Sequence, residues 1–256
     1  LVSNGDFSQE GSELVTNGNF ATDSDWNKQS SWTIGSGVAT YDAVLNSRFI
    51  QQPLVFVSGK TYKFQFEVSG GGGAAQVAFY SDNNSIIGNN AYANGTHTVY
   101  STAGAVGLNL RIFAASAGGA FSITNISVKE VGQDWTVIGT DANNYVEFGD
   151  GTARLKFLNT SPITELYTST NVLVGGKTYQ LTVDIADATS GGVKIDGGGI
   201  SQEVFDTVGI NTRIIKPTSN TNIKFYRATA NVDLTFNSVS VIEITDDTNL
   251  PRINYE

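Results

Sequence analysis

The chain has no cysteine, no methionine and one histidine, His97. Without cysteine there is no disulfide framework, no thiolate metal site and no thiol nucleophile. A single histidine excludes a His-rich zinc centre, and it makes any Ser-His-Asp triad depend on His97 alone. Charged residues are scarce at 15% of the sequence. No apolar run approaches the roughly 18 residues of a membrane span, and no signal peptide is recognisable. With Leu at position 1 and no Met anywhere, the sequence reads as a piece or processed form of a longer translation product.

What is present is enough to fold. Hydrophobic residues make up 40% of 256 positions, so the chain is not disordered in bulk. Its length suits about two domains, each large enough to bury a core. The solvated surface must be carried by Ser, Thr, Asn and the 28 glycines. Lys plus Arg number 15 against 24 Asp plus Glu, a net charge of −9. That balance argues against nucleic acid or an anionic membrane as partner, because both attract basic surfaces.

The sequence repeats itself. Gly59-Lys60-Thr61-Tyr62 recurs as Gly176-Lys177-Thr178-Tyr179. After each copy, apolar and polar residues alternate: Tyr62, Phe64, Phe66 and Val68 in the first, Tyr179, Leu181, Val183 and Ile185 in the second. Period two with one apolar side predicts a half-buried strand. Before each Gly-Lys step lies another apolar stretch, Val55 to Val57 and Val172 to Val174, which reads as strand, glycine turn, strand in hairpin fashion. The end of each unit repeats too. Phe121 and Ile123 alternate, the phase slips at Thr124-Asn125, and Ile126 and Val128 resume; Leu234 and Phe236 slip at Asn237-Ser238 before Val239 and Val241. The same slip in both copies predicts a β-bulge, or a bend where the strand changes partner.

Helical periodicity is poor, and Gly and Asn clusters punctuate short strands, so the class is all-β with two tandem antiparallel sandwiches. The expected boundaries are 12–131 for the first module and 132–244 for the second. Residues 1–11 read as an N-terminal segment or linker, although Leu1 to Phe7 echoes Leu14 to Phe20. Residues 245–256 read as a linker to a further region.

Leu14-Val15-Thr16-Asn17-Gly18-Asn19-Phe20, then Asp25-Trp26 and Ser31-Trp32-Thr33-Ile34, resembles the opening of carbohydrate-binding modules of the family 4/9/22 type. The Gly-Lys-Thr-Tyr step and the strand Phe121 to Glu130 are similar to that family as well. The second module matches through Trp135, its Gly-Lys-Thr-Tyr step and its last strand, without an Asn-Gly-Asn-Phe opening within 132–244. The resemblance implies galactose-binding-like jelly rolls. Two such modules followed by Leu250-Pro251-Arg252-Ile253-Asn254-Tyr255 resemble tail and fibre proteins of tailed bacteriophages. This implies a non-catalytic virion structural protein at the virion surface or outside the cell. It would be homo-oligomeric, with other virion proteins and a host surface polysaccharide as partners. The alternative is an accessory module pair of a secreted glycoside hydrolase or an adhesin.

Sugar rings present C–H faces to aromatic planes, so exposed aromatics are the candidate binding residues. Trp26 lies in the polar stretch Asp23 to Ser31, and Tyr92 lies among Asn90, Asn94 and His97 in a run, Ser81 to Thr98, that reads as loop. Tyr226 shares an outward strand face with Lys224. Trp32 and Trp135 read as equivalent core anchors. No carboxylate pair stands in a catalytic motif, so the chain reads as not an enzyme. No cofactor is required; the resemblance implies a structural calcium, for which Asn17, Asn19 and Asn125 are the counterparts. Asn stands where the family tends to carry acids, which weakens calcium binding.

Overall fold

The computed structural model describes residues 1–72, 75–141 and 143–245. It is all-β, with two compact units, Glu10–Val131 and Leu1–Gln9 together with Gly132–Glu256. We call these the first and second sandwich.

The first sandwich contains β1 (Asn27–Lys28), β2 (Trp32–Gly35), β3 (Val38–Tyr41), β4 (Arg48–Phe56) and β5 (Thr61–Ser69). It continues with β6 (Ala75–Ser81), β7 (Asn84–Tyr92), β8 (Gly95–Thr102), β9 (Gly107–Ala114) and β10 (Phe121–Val131). The second contains β11 (Trp135–Ile138), β12 (Asn144–Phe148), β13 (Ala153–Phe157), β14 (Glu165–Thr168) and β15 (Tyr179–Ser190). It ends with β16 (Val193–Ile195), β17 (Val204–Phe205), β18 (Gly209–Ile215), β19 (Lys224–Arg227) and β20 (Val232–Glu243).

The first sandwich has sheets β1-β4-β9-β6-β7 and β2-β3-β10-β5-β8. The second has β11-β14-β19-β16-β17 and β12-β13-β20-β15-β18, the same order ten strands on. Most connections cross from one sheet to the other, as in a jelly roll; only β2–β3 and β6–β7, with their counterparts, are hairpins within a sheet. The alternating apolar residues meet between the sheets. Phe64 of β5 packs on Phe79 of β6 at 5.4 Å, and Phe225 of β19 on Phe236 of β20 at 5.0 Å.

The repeated motifs have repeated jobs. The Tyr62 hydroxyl accepts the Val57 amide at 2.9 Å, and Tyr179 accepts the Val174 amide at 2.9 Å. Lys60 pairs with Glu130, and Lys177 with Glu243, both at 2.9 Å. Gly59 and Gly176 supply the positive φ (82° and 85°) of the turn. The turn is not the hairpin expected from the sequence: β4 and β5 lie in opposite sheets, so it carries the chain across the sandwich.

Both bulges form at the phase slips. The β10–β5 register shifts between Thr124 and Ser127, just past Ile123, the last residue of β10 paired with β3. On β20, pairing with β15 skips Asn237, just past Phe236, the last residue paired with β13. The extra residue lets one strand serve two neighbours without turning its apolar side outward.

The segment 1–11 is not a linker. Leu1–Gln9 belongs to the second sandwich, whereas Glu10 pairs with Val131 in the first. The Asn4-Gly5-Asp6-Phe7 turn does for the second sandwich what Asn17-Gly18-Asn19-Phe20 does for the first. Val239 donates its amide to Gly5 O at 2.7 Å, and Ile126 donates to Gly18 O at 2.9 Å. A Cβ on Gly5 would lie 2.2 Å from Val239 O, and one on Gly18 2.0 Å from Ile126 O, so only glycine fits either place. The second module therefore has its opening after all, separated from its body in sequence by the entire first sandwich. The expected C-terminal linker, 245–256, lies outside the described residues apart from Thr245.

The second sandwich also carries an acid-sensitive pair. Arg154 Nε and Nη2 donate to the two carboxylate oxygens of Asp233 at 2.8 and 2.9 Å. These bonds, against the opposing effect of burial, hold the Asp233 carboxyl below its usual range. A depressed folded-state pKa means the stabilisation is complete above the unfolded value of about 3.9 and is lost as pH falls through the folded value. Asp233→Asn is therefore expected to lower the urea midpoint at neutral pH, with the gap to wild type closing in acid. A gap independent of pH between 7 and 2 would contradict the assignment.

Candidate functional site

Trp26 and Tyr92 stand near opposite sheet edges of the first sandwich, and Tyr226 lies in the second. Trp26 is 6% exposed and part of the core. Its indole N–H donates to Asn17 O at 3.1 Å and its ring packs on Phe20 at 5.2 Å. Trp135 donates to Asn4 O at 2.9 Å and packs on Phe7 at 5.2 Å. The repeated anchor is therefore Trp26 with Trp135, not Trp32 with Trp135. Trp32 is also buried, but it donates to Arg48 O and packs on Tyr41 and Phe121. Trp26 contributes only a wall to an open cleft of about 480 Å³, shared with Thr16, Asp25, Asn27, Gln52 and Pro53.

Tyr92 is half-buried at the end of β7, at the opposite sheet edge from β1. It packs edge-on against Phe66 at 4.9 Å and against His97 at 4.9 Å, and so closes one rim of the core. The polar run read as loop forms the strands β7 and β8. Each is an edge strand, so its outer residues face solvent and carry no apolar signal.

The three asparagines are engaged in local turns and a bulge. Asn17 turns its amide nitrogen to Thr22 O and Ser24 O at 2.8 and 3.0 Å. Asn19 accepts the Ala21 amide at 3.2 Å. Asn125 sits at the bulge with φ 51° and donates to Glu67 at 3.0 Å; Asn237 donates to Asp184 at 3.2 Å in the second copy. Their repeated duty is to hold turns and bulges.

Tyr226 does lie outward with Lys224, on the face of β14, β19 and β16. One row reads Glu165, Tyr226, Lys194 and the next Tyr167, Lys224, with Asp196 beside Lys224. This face is internally satisfied. Lys224 pairs with Glu165 at 3.0 Å, and Lys194 sits 4.7 Å from the Tyr226 ring centre. The Tyr226 hydroxyl donates to Asp196 and accepts from Gln202, both at 3.0 Å. Burial first, and then the bond to Asp196, push that hydroxyl up to about 12.

The equivalent face of the first sandwich is built differently. Here the rows read Phe49, Phe113, Ala78 and Gln51, Arg111, Tyr80 on β4, β9 and β6. Phe113 stands in register where Tyr226 stands, and Arg111 where Lys224 stands. Their strand neighbours Ile50, Leu110, Ile112, Val77 and Phe79 fill the core, so these side chains point away from it. Phe49 and Phe113 are 4.8 Å apart, Tyr80 and Phe113 4.7 Å. Arg111 lies 5.0 Å from the Phe49 ring centre. All three rings are half-buried. An aromatic ladder on the outside of a sheet offers flat apolar area beside hydrogen-bonding groups. Phe49 and Phe113 escape notice in the sequence because each adjoins a core isoleucine, Ile50 or Ile112, and only the register brings them side by side.

No family model and no curated protein matches the chain. Its likenesses are to solved structures. One is an allantoicase, 7% identical over 77% of each chain, with a TM-score of 0.30. Another is a Paenibacillus xanthan lyase, 13% identical over 85% of this chain and 24% of that one, TM-score 0.30. A third is a truncated AlyQ with CBM32 and alginate lyase domains, 11% identical over 81% and 92% of the chains, TM-score 0.26. The all-β architecture itself rests on the strand order described above.

Proposed function

We propose that the chain is a non-catalytic carbohydrate-binding protein whose binding face is the outer surface of β4, β9 and β6 in the first sandwich. The observation that carries this reading is the continuous ladder of Phe49, Phe113 and Tyr80, three half-buried rings on the side away from the core. Rings in that position stack on the C–H faces of a sugar, while Gln51 and Arg111 supply hydrogen bonds to its hydroxyls.

The non-catalytic part rests on the sequence, in which no carboxylate pair stands in a catalytic motif. Binding is tested by affinity electrophoresis of wild type and Phe113→Ala against a panel of soluble polysaccharides. Retention that falls in the variant supports the face, and equal retention removes it.

Within that reading, the chain serves as a tail or fibre component that carries the sandwiches to a bacterial surface polysaccharide. Support comes from the tandem modules and their sequence resemblance to such proteins. Detection of the chain in purified virions is the expected result, and its absence from them would leave the alternative of an accessory module pair.

A further inference from the structure

The two equivalent faces differ in one respect that bears on the ligand. In the second sandwich the central cation, Lys224, is neutralised by Glu165 at 3.0 Å. In the first, the central cation is Arg111, and its strand neighbours are Gln51 and Tyr80, neither of them acidic. Its guanidinium is held rigidly. Nε donates to Gln51 Oε1 at 2.8 Å, and Nη1 donates to Asp82 O at 3.0 Å and to Asn83 Oδ1 at 2.6 Å. Nη2 has no hydrogen-bond acceptor among the described residues; its nearest carboxylate, Asp82 Oδ1, is 3.9 Å away. That carboxylate is already engaged, since Oδ2 accepts the Leu108 amide and Oδ1 the Asn109 amide nitrogen, both at 2.7 Å.

Resting on the binding face proposed above, we infer that Arg111 selects a saccharide bearing a carboxylate, a hexuronate, with the acid group received by Nη2 while the ring stacks on the Phe113 ladder. Three points converge on this class of ligand. An immobilised guanidinium loses little freedom on binding a planar anion, and its charged hydrogen bonds are about twice as strong as neutral ones. The position from which Glu165 reaches Lys224 holds Phe49 instead, so the acid beside the cation is Asp82 alone among its described neighbours, 3.9 Å from Nη2 and already hydrogen-bonded elsewhere. The flanking rings exclude water from one side of the contact, which strengthens it. The net charge of −9 repels a long polyanion at a distance, so the fitting ligand is a glycan with spaced uronates rather than a dense polyuronate.

The test uses the full chain and otherwise neutral oligosaccharides carrying one hexuronate, each beside its carboxyl-reduced counterpart. Wild type is expected to bind the acid form about tenfold more tightly than the reduced form, the scale of one charged hydrogen bond. Arg111→Gln is expected to bring the two forms to parity, and Arg111→Lys to keep part of the preference. Phe113→Ala is expected to weaken both. Equal binding of the two forms by wild type, or a preference that survives in Arg111→Gln, overturns the role of Arg111 while leaving the aromatic face in place. No binding of either form by wild type overturns both.

Discussion

Deleting residues 1–9 is expected to unfold the second sandwich and leave the first folded. The segment carries Phe7, which is 1% exposed and packs on Trp135 and Phe148 at 5.2 and 6.1 Å. Losing one such ring costs about 3–5 kcal/mol. The deletion also strands the indole N–H of Trp135 and the amide of Val239, which donate to Asn4 O and Gly5 O. Each buried donor left without a partner adds about 1–3 kcal/mol. The loss, about 5–11 kcal/mol together, is comparable with the total stability of an ordinary domain, about 5–15 kcal/mol. Peptide-resolved hydrogen exchange separates the outcomes: protection is expected to vanish across β11 to β20 and to persist across β2 to β10. Retained protection in β20 would show that the opening segment is dispensable.

The second large effect is a contrast between two aromatic residues. Trp26→Ala is expected to cost about 3–5 kcal/mol of stability in the first sandwich, because it empties a core position. Phe113→Ala removes an outward ring whose aromatic contacts are worth about 0.5–1.5 kcal/mol each, so the fold survives. Its effect falls on binding. Phe113 is the centre of the ladder, and a stacking loss of about 1 kcal/mol or more gives at least roughly fivefold weaker retention on polysaccharide. Thermal melts and affinity electrophoresis on the same two variants should therefore give opposite rankings. If Trp26→Ala weakened binding while leaving stability intact, the cleft beside Asp25 and Gln52 would replace the ladder as the site.

The motifs that repeat in sequence proved to be joints of the scaffold. Gly-Lys-Thr-Tyr is a crossing between sheets, braced by a tyrosine hydroxyl and a Lys–Glu pair. Asn-Gly is a turn seated over a bulge, with a Cβ forbidden at its glycine. The residues that differ between copies lie on the outer faces. Phe49, Phe113 and Arg111 in one sandwich take the register positions that Glu165, Tyr226 and Lys224 hold in the other. Scaffold residues are constrained by geometry common to both copies. Outer-face residues are free of that geometry and can diverge with the ligand.

The sequence by itself determined the all-β class, the two copies, the Gly-Lys turns and the bulges at Asn125 and Asn237, because alternation and phase slips are local properties of the chain. It also settled what chemistry is unavailable, since no fold can supply a thiolate from a chain without cysteine. Tertiary structure alone decided which sandwich owns Leu1 to Gln9, because a turn of that kind could dock on either copy and only long-range pairing with Val239 assigns it. It decided that Trp26 is core and that Asn17 and Asn125 are donors, because burial and hydrogen-bond direction depend on neighbours distant in sequence. And it assembled Phe49, Tyr80, Arg111 and Phe113 into one surface, since strand register, which no single strand encodes, is what places them side by side.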